Sequence, residues 1–253
     1  MREAMIKLSE RLQVIADRLD NCETMADIGT DHGFLPAYMI ESGRCVRAIA
    51  ADISQPSLEK ARTLCMERGI SECEIKLGDG LKVLEPGQVE GVCIAGMGGT
   101  LIAEILSESK DVAASLKRIV MQPRTASGEL RRWLIGNNYR IVAEDVVYEG
   151  KFVPQIITAV PEGMPMDGMQ NLAAGGTAGD RDLYYEVPVW MTSAGGPVSE
   201  HVRRIIRREE NTLEGLNRAR EINADETAAK EEEIRYLKRL LDEIEGNGDR
   251  HYE

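Results

Sequence analysis

The sequence predicts an α/β protein, a doubly wound and mostly parallel sheet closed by an antiparallel hairpin and followed by a C-terminal helical hairpin. Three observations carry this. Short apolar runs alternate with helical patterns five times in the first half of the chain, the signature of successive βα units. Residues 139–148 and 152–160 then form two long β-rich runs separated by Glu149-Gly150, which reads as an antiparallel hairpin at the sheet edge. From residue 199 onward the apolar residues fall on two helical stripes.

The elements follow in order. Leu8, Leu12, Ile15 and Leu19 share one face of a leading amphipathic helix over residues 7–19. An apolar run ending at Asp27 is the first strand, and a helix begins near Pro36 and stops at Gly43. Residues 45–51 form the second strand, ending at Asp52. Ser54 and Pro56 open a helix that Gly69 closes. A short third strand over 75–77 runs into Gly78-Asp79-Gly80. A fourth over 92–95 runs into Gly96-Met97-Gly98-Gly99, with a helix from 100 to about 108. The fifth strand, 118–121, ends at Gln122-Pro123-Arg124, before a helix with Leu130, Trp133 and Leu134 on one face. Residues 161–198 hold seven glycines among scattered Met, Pro and Ala and are expected as a long, partly mobile loop. Beyond them, Val202, Ile205, Ile206, Leu213 and Leu216 face Ile234, Leu237, Leu241 and Ile244 across a turn at Asn223-Ala224-Asp225. The expected division is 1–160, a linker over 161–198, and a helical hairpin over 199–246.

Composition narrows the class. Hydrophobic residues make up 43% and charged residues 29% of 253, which suits a soluble protein with a sizeable core. There is no apolar run of about 18 residues and no basic-then-apolar leader, so a cytoplasmic protein with no membrane partner is expected. The five cysteines lack C-x-x-C spacing and the three histidines lie far apart, so reduced thiols and no metal site are expected. A net charge of −12 argues against general adhesion to nucleic acid and leaves room for a local basic face.

The stretch from Met25 to Pro36 is chemically the most informative. A strand, a glycine turn at Gly29 and Gly33, and a helix start present backbone N–H groups to a cofactor. A dinucleotide turn reads G-x-G-x-x-G so that the backbone can approach a pyrophosphate. Here Asp31 replaces the second glycine and Phe34 the third. A carboxylate repels pyrophosphate and attracts an ammonium or a sulfonium, which points to S-adenosylmethionine and away from an NAD oxidoreductase. Asp52 sits at the ~20-residue offset where an acid meets ribose hydroxyls. Asp79 can accept the adenine amino hydrogens, or belong to a plain β-turn. Asp27 reads as an anchor for the turn's N–H groups or as a receptor for the methionine ammonium. His32 has no acid or nucleophile paired with it in sequence and reads as a structural partner. Ala95 to Gly99 offers flexible backbone and little side-chain chemistry, either a packing loop or a wall for a flat base.

These motifs together resemble a known family. Lys7 to Leu12 (KLSERL), Ala26 to Gly33 (ADIGTDHG), Gly78 to Leu81 (GDGL), Ala95 to Gly99 (AGMGG) and Gln122-Pro123 are similar to the bacterial tRNA (adenine-N1)-methyltransferases acting at position 22, the TrmK family. Trp133-Leu134 and Gly196-Pro197 add to the likeness, which covers residues 5–160 well and 196–245 loosely. The resemblance implies a class I SAM-dependent, Rossmann-like methyltransferase fold with a C-terminal coiled-coil hairpin, S-adenosyl-L-methionine as cofactor and tRNA as partner. It implies that Asp27, Gly29 and Asp31 hold the cofactor's amino-acid end, Asp52 its ribose and Asp79 its adenine. His32, Gly33, Ile53, Gly80, Ala95 and Gly96 complete that expected cofactor set. Met97, Gly98, Gly99, Gln122, Pro123 and Arg124 are expected to border the target base, with Asp31 and Met97 nearest the transferred methyl group.

RNA contacts are expected in local cationic clusters. Arg203, Arg204, Arg207 and Arg208 lie within less than two helical turns, with Arg235, Lys238 and Arg239 on the partner helix. Any one of them reads as a solvated charge, but as a set they fit a phosphate clamp, with Arg203 and Arg207 the expected contacts. Arg124, Arg131, Arg132 and Lys151 are expected to extend the track to the site. From residue 199 the chain carries 11 Lys/Arg against 15 Asp/Glu, so the track is local. A monomer is expected. The competing functions are a methyltransferase for another RNA base or a small molecule, and a non-catalytic RNA binder on the same scaffold. A binder needs no Asp31/Asp52/Asp79 set.

Overall fold

The computed structural model describes residues 5–164, 170–175, 181–218 and 223–248. Its centre is a seven-stranded sheet in the order β3-β2-β1-β4-β5-β7-β6. The strands are β1 (Cys22–Ile28), β2 (Cys45–Asp52), β3 (Cys73–Leu77), β4 (Gly91–Gly98), β5 (Arg118–Thr125), β6 (Tyr139–Val146) and β7 (Gln155–Pro161). The first five are parallel, β7 pairs antiparallel with both β5 and β6, and the expected doubly wound sheet is present.

Strand sequences that are apolar on both sides require cover on both faces, and they have it. Successive residues of β4 enter opposite layers. Val92 and Ile94 join Ile28, Ile102, Leu106 and Ile119 on one face. Cys93 joins Ile15, Leu35, Met39 and Val120 on the other. Helix α1 (Glu10–Leu19) starts where the Ser9 hydroxyl accepts from the Leu12 N–H, and it buries Ile15, Ala16 and Leu19. Helices α2 (Phe34–Glu41) and α3 (Gln55–Arg68) follow β1 and β2. Helices α4 (Gly99–Glu108), α5 (Lys110–Ser115) and α6 (Ser127–Gly136) complete the layers.

Several sequence expectations are corrected. Strands β4 and β5 run three to four residues further than their apolar cores, because Ala95, Met97 and Gly98 pair with Gln122, Pro123 and Thr125 through two register shifts. Helix α5 was not expected. Of the expected loop, residues 165–169 and 176–180 lie outside the described residues. The rest contains helix α7 (Asp182–Glu186) and 3-10 turns at Leu172–Gly175 and Val189–Ser193. These elements are held by burial of Val187, Trp190 and Met191. Helices α8 (Val198–Asn217) and α9 (Ala224–Gly248) follow. Ala224 and Asp225 belong to α9, not to a turn. Asn223 caps that helix through its side chain to the Glu226 N–H, and residues 219–222 lie outside the described residues.

Helices α8 and α9 bury Val202, Ile205, Ile206, Tyr236, Leu237 and Leu240 against Val146, Leu183 and Met191. The chain enters α8 by laying Gly195 beside β6. Val146 N–H donates to the Gly195 carbonyl, and Gly195 N–H to that of Glu144. At Gly196, with φ of +84°, a Cβ would lie 1.7 Å from the Val146 oxygen, so only glycine fits there.

Candidate active site

The strand order reverses between β1 and β4, and their carboxyl ends open a crevice there, the place where open α/β sheets hold ligands. Ile28 lies opposite Ala51 on one side and Ile94 on the other. The chain then turns through Gly29, with φ of +80°. Gly29 N–H and Thr30 N–H both donate to the Ala51 carbonyl, at 2.8 and 3.0 Å. Those two bonds fix the turn to β2. Gly33, also at positive φ, caps α2 and packs on Ala61 of α3.

The carboxylates take distinct positions. Asp27 is mostly enclosed by the sheet. Burial raises its carboxyl pKa, and the Thr30 and Cys93 side chains and Arg11 act in the opposite direction. Asp31 is exposed, with its oxygens 3.1 Å from Lys60 Nζ and 3.3 Å from His32 Nε2. The His32 ring in turn stacks on Phe34. Asp52 ends β2 and its Oδ1 accepts from the Ser54 N–H at 2.7 Å. Beside it, Ile53 leaves 74% of its surface in solvent. Asp79 pairs with Lys82 at 2.6 Å, and Gly80 backs onto Ile105.

From β4, Gly96 has positive φ and open space where a Cβ would point. Met97 reaches across the crevice, and a Cβ on Gly29 would meet its Cε at 2.2 Å. Gly98 lies beside Thr125, and Gly99 packs α4 against the Ala126 carbonyl, a packing role rather than an open wall. Gln122 and Pro123 are buried, Arg124 is exposed, and the Gln122 amide donates to the Pro123 carbonyl. A recess of about 420 Å³ opens beyond Gly96, lined by Gln122, Pro123, Arg124, Arg11 and Phe152. Arg11 lies within the Lys7–Leu12 motif but, like Phe152, carries no expected role in the site from sequence. The only signal for Phe152 was an aromatic at a hairpin tip.

The structure therefore brings the turn, Asp52, Asp79, Gly96, Met97 and Gln122–Arg124 to one edge of the sheet. The residues fit S-adenosylmethionine. Thr30 Oγ1 is buried beside the Asp27 carboxylate. Gly96 leaves its backbone uncovered, while the Met97 methyl lies over Gly29, and the surrounding side-chain chemistry is carboxylate. That donor set suits ribose hydroxyls and an ammonium and repels a pyrophosphate. Among the described residues, no three His, Cys, Asp or Glu side chains form a metal-binding group, and no helix is long and apolar enough to cross a membrane.

The cationic track changes in one respect. Arg131 is fully buried and engaged with Glu144, so it cannot face RNA. Arg203 pairs with Glu245 of α9 at 2.5 Å and Arg207 with Glu200 at 3.3 Å, both remaining accessible. Arg204 donates to the Lys151 carbonyl at 2.6 Å, and the Lys151 ammonium lies over the Phe152 ring at 5.4 Å.

Comparison with known proteins identifies the family. Residues 8–157 match the family described as methyltransferase domain. The chain is 33% identical over 182 residues to the tRNA (adenine(22)-N(1))-methyltransferase of Bacillus subtilis, covering 72% of this chain and 69% of the relative. The crystal structure of the B. subtilis m1A22 tRNA methyltransferase TrmK superposes with a TM-score of 0.76 at 27% identity, over 94% of this chain and 99% of that one. A candidate tRNA (m1A22) methyltransferase from Streptococcus pneumoniae, solved with S-adenosyl-L-methionine, superposes with a TM-score of 0.71 at 25% identity, over 93% and 100%. With a crevice at the switch point, a carboxylate set suited to a sulfonium nucleoside, and these relatives, the chain belongs to the TrmK family of methyltransferases.

Proposed function

We propose that this protein transfers a methyl group from S-adenosylmethionine to N1 of the adenine at position 22 of tRNA, in the cytoplasm and as a single chain. The recess beyond Gly96 is the observation that carries the reading, because Gly96 lines it and the next residue, Met97, reaches Gly29 of the expected cofactor turn. The residues of both halves belong to one chain, which supports a single chain as the working unit. When bound, S-adenosylmethionine supplies a sulfonium-activated methyl group, which adenine N1 takes with its own lone pair and without first losing a proton.

The protein's residues then have to bind, orient and dry the reactants. Asp52 is set for the ribose, with Asp79 and Ile53 alongside for the adenine. Asp27 and the Thr30 hydroxyl face the amino-acid end. Asp31, exposed and paired with Lys60 and His32, suits an anchoring role at the rim. Met97 forms the partition between cofactor and acceptor. Accessible Arg124, Lys151, Arg203 and Arg207 suit phosphate contacts, which position RNA without reading its sequence. Replacing Arg203 and Arg207 by Gln should lower the dependence of log affinity on log salt by roughly two. An unchanged slope would remove them from the track.

The decisive experiment treats unmodified tRNA with labelled S-adenosylmethionine, then digests it and maps the label. N1-methyladenosine at position 22 is expected. Label on another base, or on no RNA at all, would overturn the reading.

A further inference from the structure

We infer that Phe152, at the tip of the β6–β7 hairpin, is the face on which the acceptor base stacks, and that α8 holds it in place. The inference rests on the proposed function and adds to it a residue that neither the motifs nor the comparisons assign.

A lone exposed aromatic needs no explanation by itself. Phe152 leaves 63% of its surface in solvent, yet its backbone is tightly held. Glu149 and Phe152 exchange two backbone hydrogen bonds at 3.0 Å. Arg11 of α1 binds the Glu149 carboxylate at 2.7 Å from one side. From the other, Arg204 of α8 donates to the Lys151 carbonyl at 2.6 Å. Below the tip, His201 of α8 meets Gln155 at 2.8 Å. A hairpin tip tied to two helices holds the Phe152 backbone in one place.

That place is the recess. Phe152 lines it together with Gly96, Gln122 and Pro123, and Gly96 is followed by Met97, which reaches Gly29 of the cofactor turn. The Lys151 ammonium covers one face of the ring. A purine entering the recess would lie against the other. An enzyme that acts on a base ring nitrogen has to take the base out of its stack and replace the lost stacking, which aromatic side chains do. The recess holds no other aromatic side chain among the described residues. Arg204, expected from sequence to meet phosphate, acts instead as a positioning residue for this ring.

The test is single-turnover methylation of tRNA by the full chain at saturating S-adenosylmethionine. The wild type is compared with Phe152→Ala, Phe152→Leu and Phe152→Tyr. A stacked base is worth roughly 1–3 kcal/mol, hence a loss of roughly 5- to 150-fold on removing the ring. Ala and Leu should both show that loss, Tyr should restore the rate, and calorimetric cofactor affinity should not change. Leu retains apolar bulk, so a merely structural role would let it rescue. Wild-type rates for Ala, or full rescue by Leu, would overturn the inference while leaving tRNA methylation intact. No transfer by the wild type would instead remove the functional reading beneath it.

Discussion

Arg131 and Glu144 form a two-pronged ion pair with essentially none of either side chain in solvent. The guanidinium Nε and Nη2 donate to the two carboxylate oxygens at 2.9 and 2.6 Å. Arg131 also donates to the Tyr185 and Glu186 carbonyls and to Gln155, while Trp190 Nε1 donates to Glu144 at 2.8 Å. One buried pair thus joins α6, β6, β7, α7 and the turn before α8. Desolvating two charges costs several kcal/mol, which the direct contact and the surrounding bonds offset.

Removing one partner leaves the other charge buried alone. Arg131→Met should therefore lower unfolding stability by about 3–5 kcal/mol in urea denaturation. Arg131→Met with Glu144→Leu should lose less than the sum of the two single changes, since the second change removes the stranded charge. Strict additivity would show that the pair is not coupled.

His201 gives the fold a pH dependence. Gln155 spends its carbonyl on Arg131, so its amide N–H₂ donates to His201 Nε2, which must be unprotonated. Burial pushes the imidazole pKa down to about 4, with Arg131, Arg208 and Arg204 adding to the effect. The unfolded chain binds this proton near pH 6.5 and the folded one only near 4. The stability that His201 contributes is thus complete above pH 6.5 and falls as pH drops toward 4, by about 3 kcal/mol in all. Denaturation at several pH values should show that slope, and His201→Gln should flatten it. An equal slope in the variant would assign the effect to other groups.

The same pair marks where the sequence becomes unreadable. Ile28, Val92, Ile94 and Ile119 announce buried parallel strands by composition alone, and the polar residues at their ends announce the crevice. Local pattern suffices there because each strand meets cover on both faces. Arg131 sits in an amphipathic helix next to Arg132, and nothing nearby reveals that Glu144 and two carbonyls of α7 await it. Val187, Trp190 and Met191 follow a glycine-rich stretch that reads as loop, yet Val187 and Met191 pack with α8 and α9 and Trp190 joins the core over the sheet. The extension of β4 through Gly96 is likewise set by its neighbour β5, because glycine carries no strand preference of its own.

Within the cofactor site, exposure sets the order of effects. Asp52 is held by the Ser54 N–H with its carboxylate at a strand end. A hydrogen bond to a charged group contributes about 1.5–3 kcal/mol, so Asp52→Ala should weaken S-adenosylmethionine roughly 10- to 150-fold in calorimetric titration. Asp31 leaves 70% of its side chain in water beside Lys60. Solvent screening keeps such a charge weak, so Asp31→Asn should cost no more than about fivefold. The reverse ranking would place the sulfonium at Asp31 in a drier site than this geometry provides.

The chemical step should need no base. Adenine N1 already carries a free lone pair, and the crevice offers no histidine or lysine aimed at the recess beyond Gly96 among the described residues. Positive charge moves onto the adenine as the methyl group transfers, and a nearby carboxylate stabilises such a charge. A desolvated carboxylate in that role is worth roughly 10²-fold in rate. Asp31 is exposed and already paired with Lys60 and His32, so its field at the acceptor is screened. With cofactor saturating, Asp31→Asn should therefore keep a near wild-type single-turnover rate. The wild-type rate itself should be flat from neutral to mildly alkaline pH, because no group need lose a proton before attack. A rate that climbs with a single ionisation in that range would show a general base at work, and a roughly hundredfold loss in Asp31→Asn would return that carboxylate to the transition state.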